Sequence, residues 1–214
     1  PQYLLTVRGV GFRLVGAKAR HGSDAVNAIK PDDLSLRMPV DGFLGRAEEL
    51  EILSHFLQTD KRLLTVSGPG GVGKTRLVLE SLHRQTDQSA VVLDLVDCDS
   101  EMDLLLLFSQ RLGMVQQAST DWTTGLKRIV STLNHLRFRV LILDNVDRCI
   151  GAVRELIESA MRVTSTIQFV VTSRELLRLS EEQVLRIGSL SLSEARELFV
   201  LRAYRDTGVP TLSA

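Results

Sequence analysis

Eight consecutive residues carry the clearest chemistry in this chain: Gly68-Pro69-Gly70-Gly71-Val72-Gly73-Lys74-Thr75. Their spacing, G-x-x-x-x-G-K-T, follows an apolar stretch at 63–66 and precedes a helical pattern. Strand, tight turn and helix in that order are the context a phosphate-binding loop requires. The glycines let the backbone curl so that successive N–H groups point inward at the α- and β-phosphates, where a side chain would block the approach. The helix that follows adds its positive end. Lys74 is placed to reach the β- and γ-phosphates, and the Thr75 hydroxyl to ligate a magnesium ion that bridges them. Arg76 continues the candidate nucleotide-contacting stretch.

A second group of residues fits the same chemistry. The run 139–147 reads Arg-Val-Leu-Ile-Leu-Asp-Asn-Val-Asp, four apolar residues ending in the carboxylate of Asp144. At the end of a central strand beside the loop, Asp144 would hold magnesium directly or through a water. Its neighbour Asn145 can orient a water but cannot accept a proton from it. Hydrolysis would then rest on Asp147 or on a slow pathway. A further strand, 167–171, runs into Thr172-Ser173-Arg174, and an arginine there can offer several donors to the γ-phosphate. The bland alternative is a surface arginine paired with Glu175 or Asp147. Upstream, Phe43-Leu44-Gly45-Arg46 puts a turn glycine and an arginine at a helix start, where backbone could edge an adenine ring.

Other reactive residue types point nowhere in particular. His21, His55, His83 and His135 are scattered without ligand spacing. The acidic group Asp94, Asp97, Asp99 and Glu101 reads as solvated loop and helix-start acids. Cys98 and Cys149 have no partner motif and read as free thiols of a reducing cytoplasm.

The elements that must position these residues follow from pattern. Residues 1–15 alternate in the strand manner around Arg8-Gly9-Val10-Gly11 and read as a β-hairpin, which alone is barely stable. Residues 16–40 carry Gly16, Gly22, Pro31 and Pro39 and read as a linker with a short helical stretch at 24–29. Residues 41–214 read as one α/β unit. Helices are expected at 46–57, 75–83, 102–112, 122–136, 150–161 and 193–204, and strands at 63–66, 91–95, 140–143, 167–171 and 184–187. Ser193 followed by Arg196 makes no capping box. Uninterrupted apolar strands alternating with helices imply a mostly parallel sheet covered on both faces, with functional groups at the carboxyl ends of its strands.

Length and composition set the outer bounds. The 214 residues are 44% hydrophobic and 24% charged, with 26 basic and 26 acidic side chains, so a whole-chain basic footprint for nucleic acid is absent. No apolar run approaches a membrane span. The sequence begins without methionine and ends abruptly, as a piece of something longer would.

The motifs in combination resemble the nucleotide-binding domain of STAND-class P-loop signalling ATPases. Phe43-Leu44-Gly45-Arg46 looks like the amino-terminal hhGR element, Gly68 to Thr75 the Walker A loop, Leu141-Ile142-Leu143-Asp144-Asn145 the Walker B strand and Thr172-Ser173-Arg174 the sensor arginine motif. The resemblance implies a three-layer α/β P-loop NTPase with sheet order 5-1-4-3-2. It also implies binding of ATP or ADP with magnesium, slow hydrolysis used as a switch, and nucleotide-dependent self-association. The Asp-Asn form followed by an acid two residues later is similar to the bacterial regulator branch (AfsR/LuxR-regulator-like). That branch often has a proline after the fifth strand where this chain has Gly188-Ser189-Leu190-Ser191, so no adenine contact is assigned there.

The string at 5–14, Leu-Thr-Val-Arg-Gly-Val-Gly-Phe-Arg-Leu, resembles the closing wing of a response-regulator winged-helix domain. The resemblance implies a cytoplasmic transcriptional regulator that contacts DNA through a domain lying mostly upstream of Pro1. A P-loop kinase or other phosphoryl-transfer enzyme acting on a small molecule is the alternative reading of the same loop, and a helicase or translocase a third.

Overall fold

The structure is a computed structural model and describes residues 3–7, 11–15, 43–85, 90–112, 114, 121–136 and 138–207. Two short strands, β1 (Tyr3–Val7) and β2 (Gly11–Val15), pair antiparallel with Tyr3 opposite Val15 and Val7 opposite Gly11. The linker expected at 16–40, with its helical stretch, lies outside the described residues.

From residue 43 helices and strands alternate as their apolar spacing requires. In order they are α1 (Ala47–Gln58), β3 (Leu63–Ser67), α2 (Lys74–His83), β4 (Ala90–Asp94), α3 (Glu101–Arg111) and α4 (Trp122–His135). There follow β5 (Val140–Asp144), α5 (Ile150–Val163), β6 (Gln168–Ser173), β7 (Glu182–Arg186) and α6 (Leu192–Thr207). Strands β3 to β7 form one sheet in the spatial order β4-β5-β6-β3-β7, and every neighbouring pair is parallel. Numbered from the strand before the Gly-rich loop, this is the order 5-1-4-3-2.

Side-chain alternation along the strands divides the core between two faces. Leu63, Leu141, Leu143, Phe169 and Val171 pack with Leu104 and Phe108 of α3, Ile129 and Leu133 of α4 and Leu156 of α5. Leu64, Val66, Ile142 and Val170 pack with Leu53 and Leu57 of α1 and Leu77 of α2. The result is three layers, helices over each face of a sheet whose inner strands β3, β5 and β6 are buried along their whole length, while the edge strand β7 is partly exposed.

Helix starts are chemically marked. Ser100 and Asp103 form a capping box on α3, the Ser100 hydroxyl accepting from the Asp103 N–H at 3.2 Å and the Asp103 carboxylate from the Ser100 N–H at 2.9 Å. Asp121 caps α4 by accepting the Thr124 N–H at 2.9 Å. The start of α6 differs from the sequence expectation. The helix begins at Leu192, one residue before the expected 193, with Ser191 as its cap, and Glu194 completes a box by accepting the Ser191 N–H at 2.8 Å. Glu194 sits three residues after the cap, where such a carboxylate can reach back to the free N–H groups.

At the amino ends of the strands two side chains tie the layers together. Gln168, 4% exposed, donates from its amide nitrogen to the carbonyls of Phe56, Thr59 and Lys61 at 3.1, 3.0 and 2.8 Å. Arg62 donates to the Met161 carbonyl at 2.8 Å and the Thr164 hydroxyl at 3.0 Å. These contacts satisfy carbonyls at the ends of α1 and α5 that the helices themselves cannot. Gln168→Leu keeps the volume and removes the donor. Urea unfolding of this variant should show a loss of about 2 kcal/mol with an unchanged m value. Stability equal to wild type would mean that the three carbonyls are served from elsewhere.

Candidate nucleotide-binding site

The Gly-rich loop joins the end of β3 to the start of α2. Gly73 occupies the N-cap of α2 at φ 98°, a left-handed conformation that a side chain would strain, and no side chain caps this helix. Its first N–H groups are therefore available to an anion. Lys74, 8% exposed, donates from its ammonium to the carbonyls of Gly68 at 2.8 Å and Pro69 at 3.0 Å. An ammonium has three donors; two curl the loop's entry around the lysine and one is left for a phosphate oxygen. Burial pulls the Lys74 pKa below the ordinary lysine value. Asp147 and Asp144 act against that shift and Arg174 with it. Arg76 is half-buried on the first turn of α2.

Asp144 closes β5 at 3% exposure, and parallel pairing sets it beside Asp94 of β4. Its carboxylate accepts from the Thr75 hydroxyl at 2.8 and 2.9 Å, from the Thr172 hydroxyl and from Asn145 Nδ2 at 3.1 Å. Thr172 in turn accepts the Asn145 N–H at 3.0 Å. Burial pushes the Asp144 carboxyl above the ordinary range, while the hydroxyls of Thr172 and Thr75 hold it down. Thr75 and Asp144 thus present hard oxygen donors side by side, the chemistry that suits magnesium. No cluster of three acidic, histidine or cysteine side chains that could hold a metal ion exists among the described residues.

Asn145 adopts the left-handed conformation, φ 61° and ψ 49°, that asparagine enters more readily than most residues. Its amide also donates to Asp94 at 3.0 Å. The chain thereby leaves the strand at once, into a 3-10 turn at Val146–Arg148. Asp147, on that turn, faces the exit of β6. It accepts from the Ser173 hydroxyl at 2.9 Å and from the Arg174 N–H at 2.6 Å, with Arg174 Nε 3.4 Å from its second oxygen. The Arg174 side chain is 68% exposed. Its guanidinium lies over the loop tip, 3.3 Å from where a Cβ on Gly70 would be.

Gly45 and Arg46 both have positive φ, 69° and 59°. Arg46 is 8% exposed and donates from Nη2 to the carbonyls of Val72 at 3.0 Å and Gly188 at 2.7 Å, with Nη1 paired to Glu49 at 3.2 Å. Its guanidinium thus straps the loop to the connection between β7 and α6. Gly45 is packed against Glu194, whose Oε1 would lie 2.3 Å from any Cβ there. Glu194 also takes a hydrogen bond from the Arg46 backbone.

The structure therefore gathers Gly68 to Thr75, Asp144, Asn145, Asp147 and Arg174 at the carboxyl ends of the strands, and holds Gly45 and Arg46 against the same loop. Sequence reasoning passed over four residues of this assembly. Thr172 and Ser173 were noticed only as the approach to Arg174, although hydroxyls at the end of a strand beside Asp144 are suited to hold a carboxylate. Asp94 gave no local signal of its bond to Asn145, and the Ser191-Leu192-Ser193-Glu194 spacing signals the cap of α6 but not the packing of Glu194 on Gly45. Cys98 and Cys149 are buried free thiols, pushed up by burial to about 11 and about 12. No helix among the described residues is long and apolar enough to cross a membrane.

Comparison with known proteins bears on the family and the fold. The sequence signature of the family described as AAA domain matches residues 57–181, more than half of the 214 residues. An uncharacterized protein of Mycobacterium tuberculosis, Rv0894, is 30% identical over 175 residues, covering 80% of this chain and 43% of that protein. A putative HTH-type transcriptional regulator of the same organism, Rv0890c, is 27% identical over 151 residues, 70% of this chain and 17% of that one. The chain spans less than half the length of these relatives. Among solved structures, the Aeropyrum pernix ORC1 protein in complex with DNA superposes with a TM-score of 0.60 at 18% identity, over 80% of this chain and 52% of that one. The matched segment runs from the end of α1 through β6 and contains the loop, Asp144 and Arg174, so by sequence and by fold the chain belongs to the AAA domain family of P-loop NTPases.

Proposed function

We propose that this chain is the ATP- and ADP-binding switch domain of a signal-responsive transcriptional regulator of the STAND class, hydrolysing its nucleotide slowly. The observation that carries the reading is the unit of Thr75, Asp144 and Thr172. It fixes a hydroxyl and a carboxylate side by side at the mouth of a loop whose lysine keeps a free donor. A magnesium ion held by Thr75 and Asp144 would neutralise charge developing on the transferred phosphate. The loop N–H groups and Lys74 bind the phosphates, and Arg174 reaches them from above Gly70. Asn145 accepts no proton, so hydrolysis rests on positioning and charge, which is enough for a slow reaction. Asp147 acts by holding Ser173 and Arg174 in place.

The regulator setting is supported by the likeness to the mycobacterial HTH-type relative. It is supported also by the antiparallel pairing of β1 with β2, the form that a winged-helix closing wing would take. In this reading a cytoplasmic protein contacts DNA through a domain upstream, and nucleotide state governs self-association. Turnover separates the switch from a small-molecule phosphotransferase. Hydrolysis slower than about one per minute suits a switch, whereas enzymes commonly turn over at about 1 to 1,000 per second.

Titration with ATP and ADP tests binding directly. Lys74→Ala should weaken both by about ten- to hundredfold, the loss of a charge-assisted contact worth roughly 1.5 to 3 kcal/mol, and equal affinities in the two proteins would end the assignment. Acidity gives a second check. The raised pKa of Asp144 means that its ionised form is complete only above that folded value. Magnesium-dependent affinity should therefore fall as the pH drops through it, earlier than for an ordinary aspartate. The same sign makes the metal-free protein gain stability from Asp144 on acidification, because above the unfolded value the buried charge opposes folding. Asp144→Asn should flatten both profiles and abolish the response to magnesium; a magnesium response that survived would remove Asp144 from the ion site. Finally, Asp147→Ala should slow single-turnover hydrolysis at least about tenfold with ATP affinity intact. An unchanged rate would take Asp147 out of the reaction.

A further inference from the structure

Two arginines close to the phosphate loop have no part in the site described above. Arg178 and Arg186 line a cavity of about 610 Å³ whose wall also includes Arg174 and the loop residues Gly68 and Pro69. Both are exposed, and neither guanidinium has a hydrogen-bonded or acidic partner among the described residues. The fold fixes where each of them stands. Arg186 pairs in register with Ser67, the residue just before the loop, so their Cα atoms lie about 4.8 Å apart across the parallel strands. Arg178 has φ 59°, a left-handed conformation that a residue with a long side chain keeps only where its surroundings impose it. Glu182 imposes it: one carboxylate oxygen accepts the N–H of Leu177 at 2.9 Å and the other the N–H of Arg178 at 2.6 Å. Leu177 is itself buried in the core, so the turn is anchored from both sides. Glu182 is thereby engaged by backbone, Glu175 is the carboxylate on the cavity wall, and Asp147 lies 3.4 Å from Arg174 Nε. Three guanidinium groups against one wall carboxylate leave the cavity positively charged.

Hydrolysis at the loop releases an anion next to this cavity. The oxygen of a water bonds to the γ-phosphorus, the bond from that phosphorus to the bridging oxygen breaks, the bridging oxygen stays with ADP, and a proton leaves to solvent. Arg174 belongs both to the loop tip, over Gly70, and to the cavity wall. We propose that Arg178 and Arg186, together with Arg174, form a receiving site for the inorganic phosphate so released, holding it beside the loop once its bond to ADP is broken. Guanidinium groups offer paired donors whose geometry matches phosphate oxygens. Two of the three have no contact to give up, and their backbone positions are fixed before the ligand arrives, which lowers the cost of binding. The cavity is open and leaves room for the phosphate to keep part of its water shell. A nucleic-acid backbone presents the same chemical group, but it is a long polyanion, and this is one local patch on a chain whose 26 basic and 26 acidic side chains cancel. For the origin of the phosphate the inference rests on the slow hydrolysis proposed above; the anion site itself stands on the geometry. Phosphate held there delays the clearing of the products, so added phosphate should slow turnover.

Calorimetric titration of inorganic phosphate into the 214-residue chain, saturated with ADP and magnesium so that the loop is already filled, supplies the test. Wild type should bind phosphate, and Arg178→Gln with Arg186→Gln should bind it at least about tenfold more weakly, two charge-assisted contacts having gone. Affinity for ATP and for ADP should be the same in both proteins. Added phosphate should slow steady-state hydrolysis by wild type and have little effect on the variant. Circular dichroism checks folding, and Arg178→Lys with Arg186→Lys, which keeps the charge and loses the paired donors, replaces the glutamine pair if that chain does not fold and should also weaken phosphate. Lys74→Ala, titrated without nucleotide, locates the anion: phosphate lost in Lys74→Ala and kept in the arginine variant sits in the loop and overturns the proposal. Equal phosphate affinity in wild type and the arginine variant overturns it as well. So does a variant that loses affinity for ATP but not for ADP, because the two arginines then hold the γ-phosphate before cleavage. Duplex DNA bound by wild type and lost in the variant, with no binding of free phosphate, overturns it in favour of nucleic acid. Binding of a fluorescent ADP analogue, followed in parallel, separates the two readings. A chain that takes phosphate through Arg178 and Arg186 without binding ADP refutes the nucleotide switch alone, and one that binds ADP and no phosphate refutes the receiving site alone.

Discussion

A buried carboxylate organises this domain. Asp144 is 3% exposed, and an ionised group so far from water is costly unless its oxygens are occupied. Three elements supply the donors: α2 through Thr75, β6 through Thr172 and the exit of β5 through Asn145. The requirement to satisfy one charge therefore locks three segments to one point. Thr75 directly follows the loop, so its bond to Asp144 fixes the loop's outlet, while the bonds from Lys74 to Gly68 and Pro69 fix its entry. The loop is shaped at both ends by the protein's own contacts, and a ligand that finds its site formed does not bear the cost of ordering it.

The same row of strand ends explains why an amide, and no acid, follows Asp144. Asn145 Nδ2 lies 3.0 Å from Asp94 and 3.1 Å from Asp144 and donates to both. A carboxylate in its place would put three negative charges within hydrogen-bonding distance, each raising the others' pKa. Asparagine also tolerates the left-handed turn that buries Val146 in the core and carries Asp147 across to Ser173 and Arg174. The weak acid–base character of the site is thus tied to how β4, β5 and β6 are held at their carboxyl ends. An acid placed at this position would have to overcome Asp94 as well as serve a water.

Much of this was legible in the sequence for reasons that differ by element. Four of the five core strands are short apolar runs, and their type and parallel sense follow from burial on both faces, whereas the order 5-1-4-3-2 is implied by the resemblance to STAND-class domains. The ends were less legible. The helix α6 is expected from residue 193 with no capping box there, whereas it starts at Leu192 and the box is Ser191 with Glu194, because neighbouring serines compete and only geometry shows which accepts the N–H. Lys74, Thr75 and Asp144 could be named from local spacing, since each belongs to a contiguous motif. The partners Thr172, Asp94 and Glu194 could not, being joined to the site across 28, 51 or more residues. Arg46 is the instructive case: its neighbourhood to the loop was expected, but its role as a donor to two backbone carbonyls depends on Val72 and Gly188 being brought together by the fold.

That arrangement of Arg46 bears on how a change at the loop could travel. One nitrogen, Nη2, serves the Val72 carbonyl inside the loop and the Gly188 carbonyl at the approach to α6. Glu194, in the first turn of α6, meets Gly45 and the Arg46 backbone from the other side. Beyond that turn α6 turns apolar residues outward, Phe199 at 72% and Leu201 at 49% exposure. The helix is therefore gripped at its start by the same turn that grips the loop. If nucleotide shifts Val72, the shared guanidinium must either carry Gly188 with it or surrender a 2.7 Å, part-buried hydrogen bond, at a cost to the buried Arg46 side chain. Moving with the loop is the cheaper response, and a displacement at a phosphate then becomes a rotation at the base of a helix. Such a linkage would serve the proposed switch, which requires that a change at the loop reach a distant element.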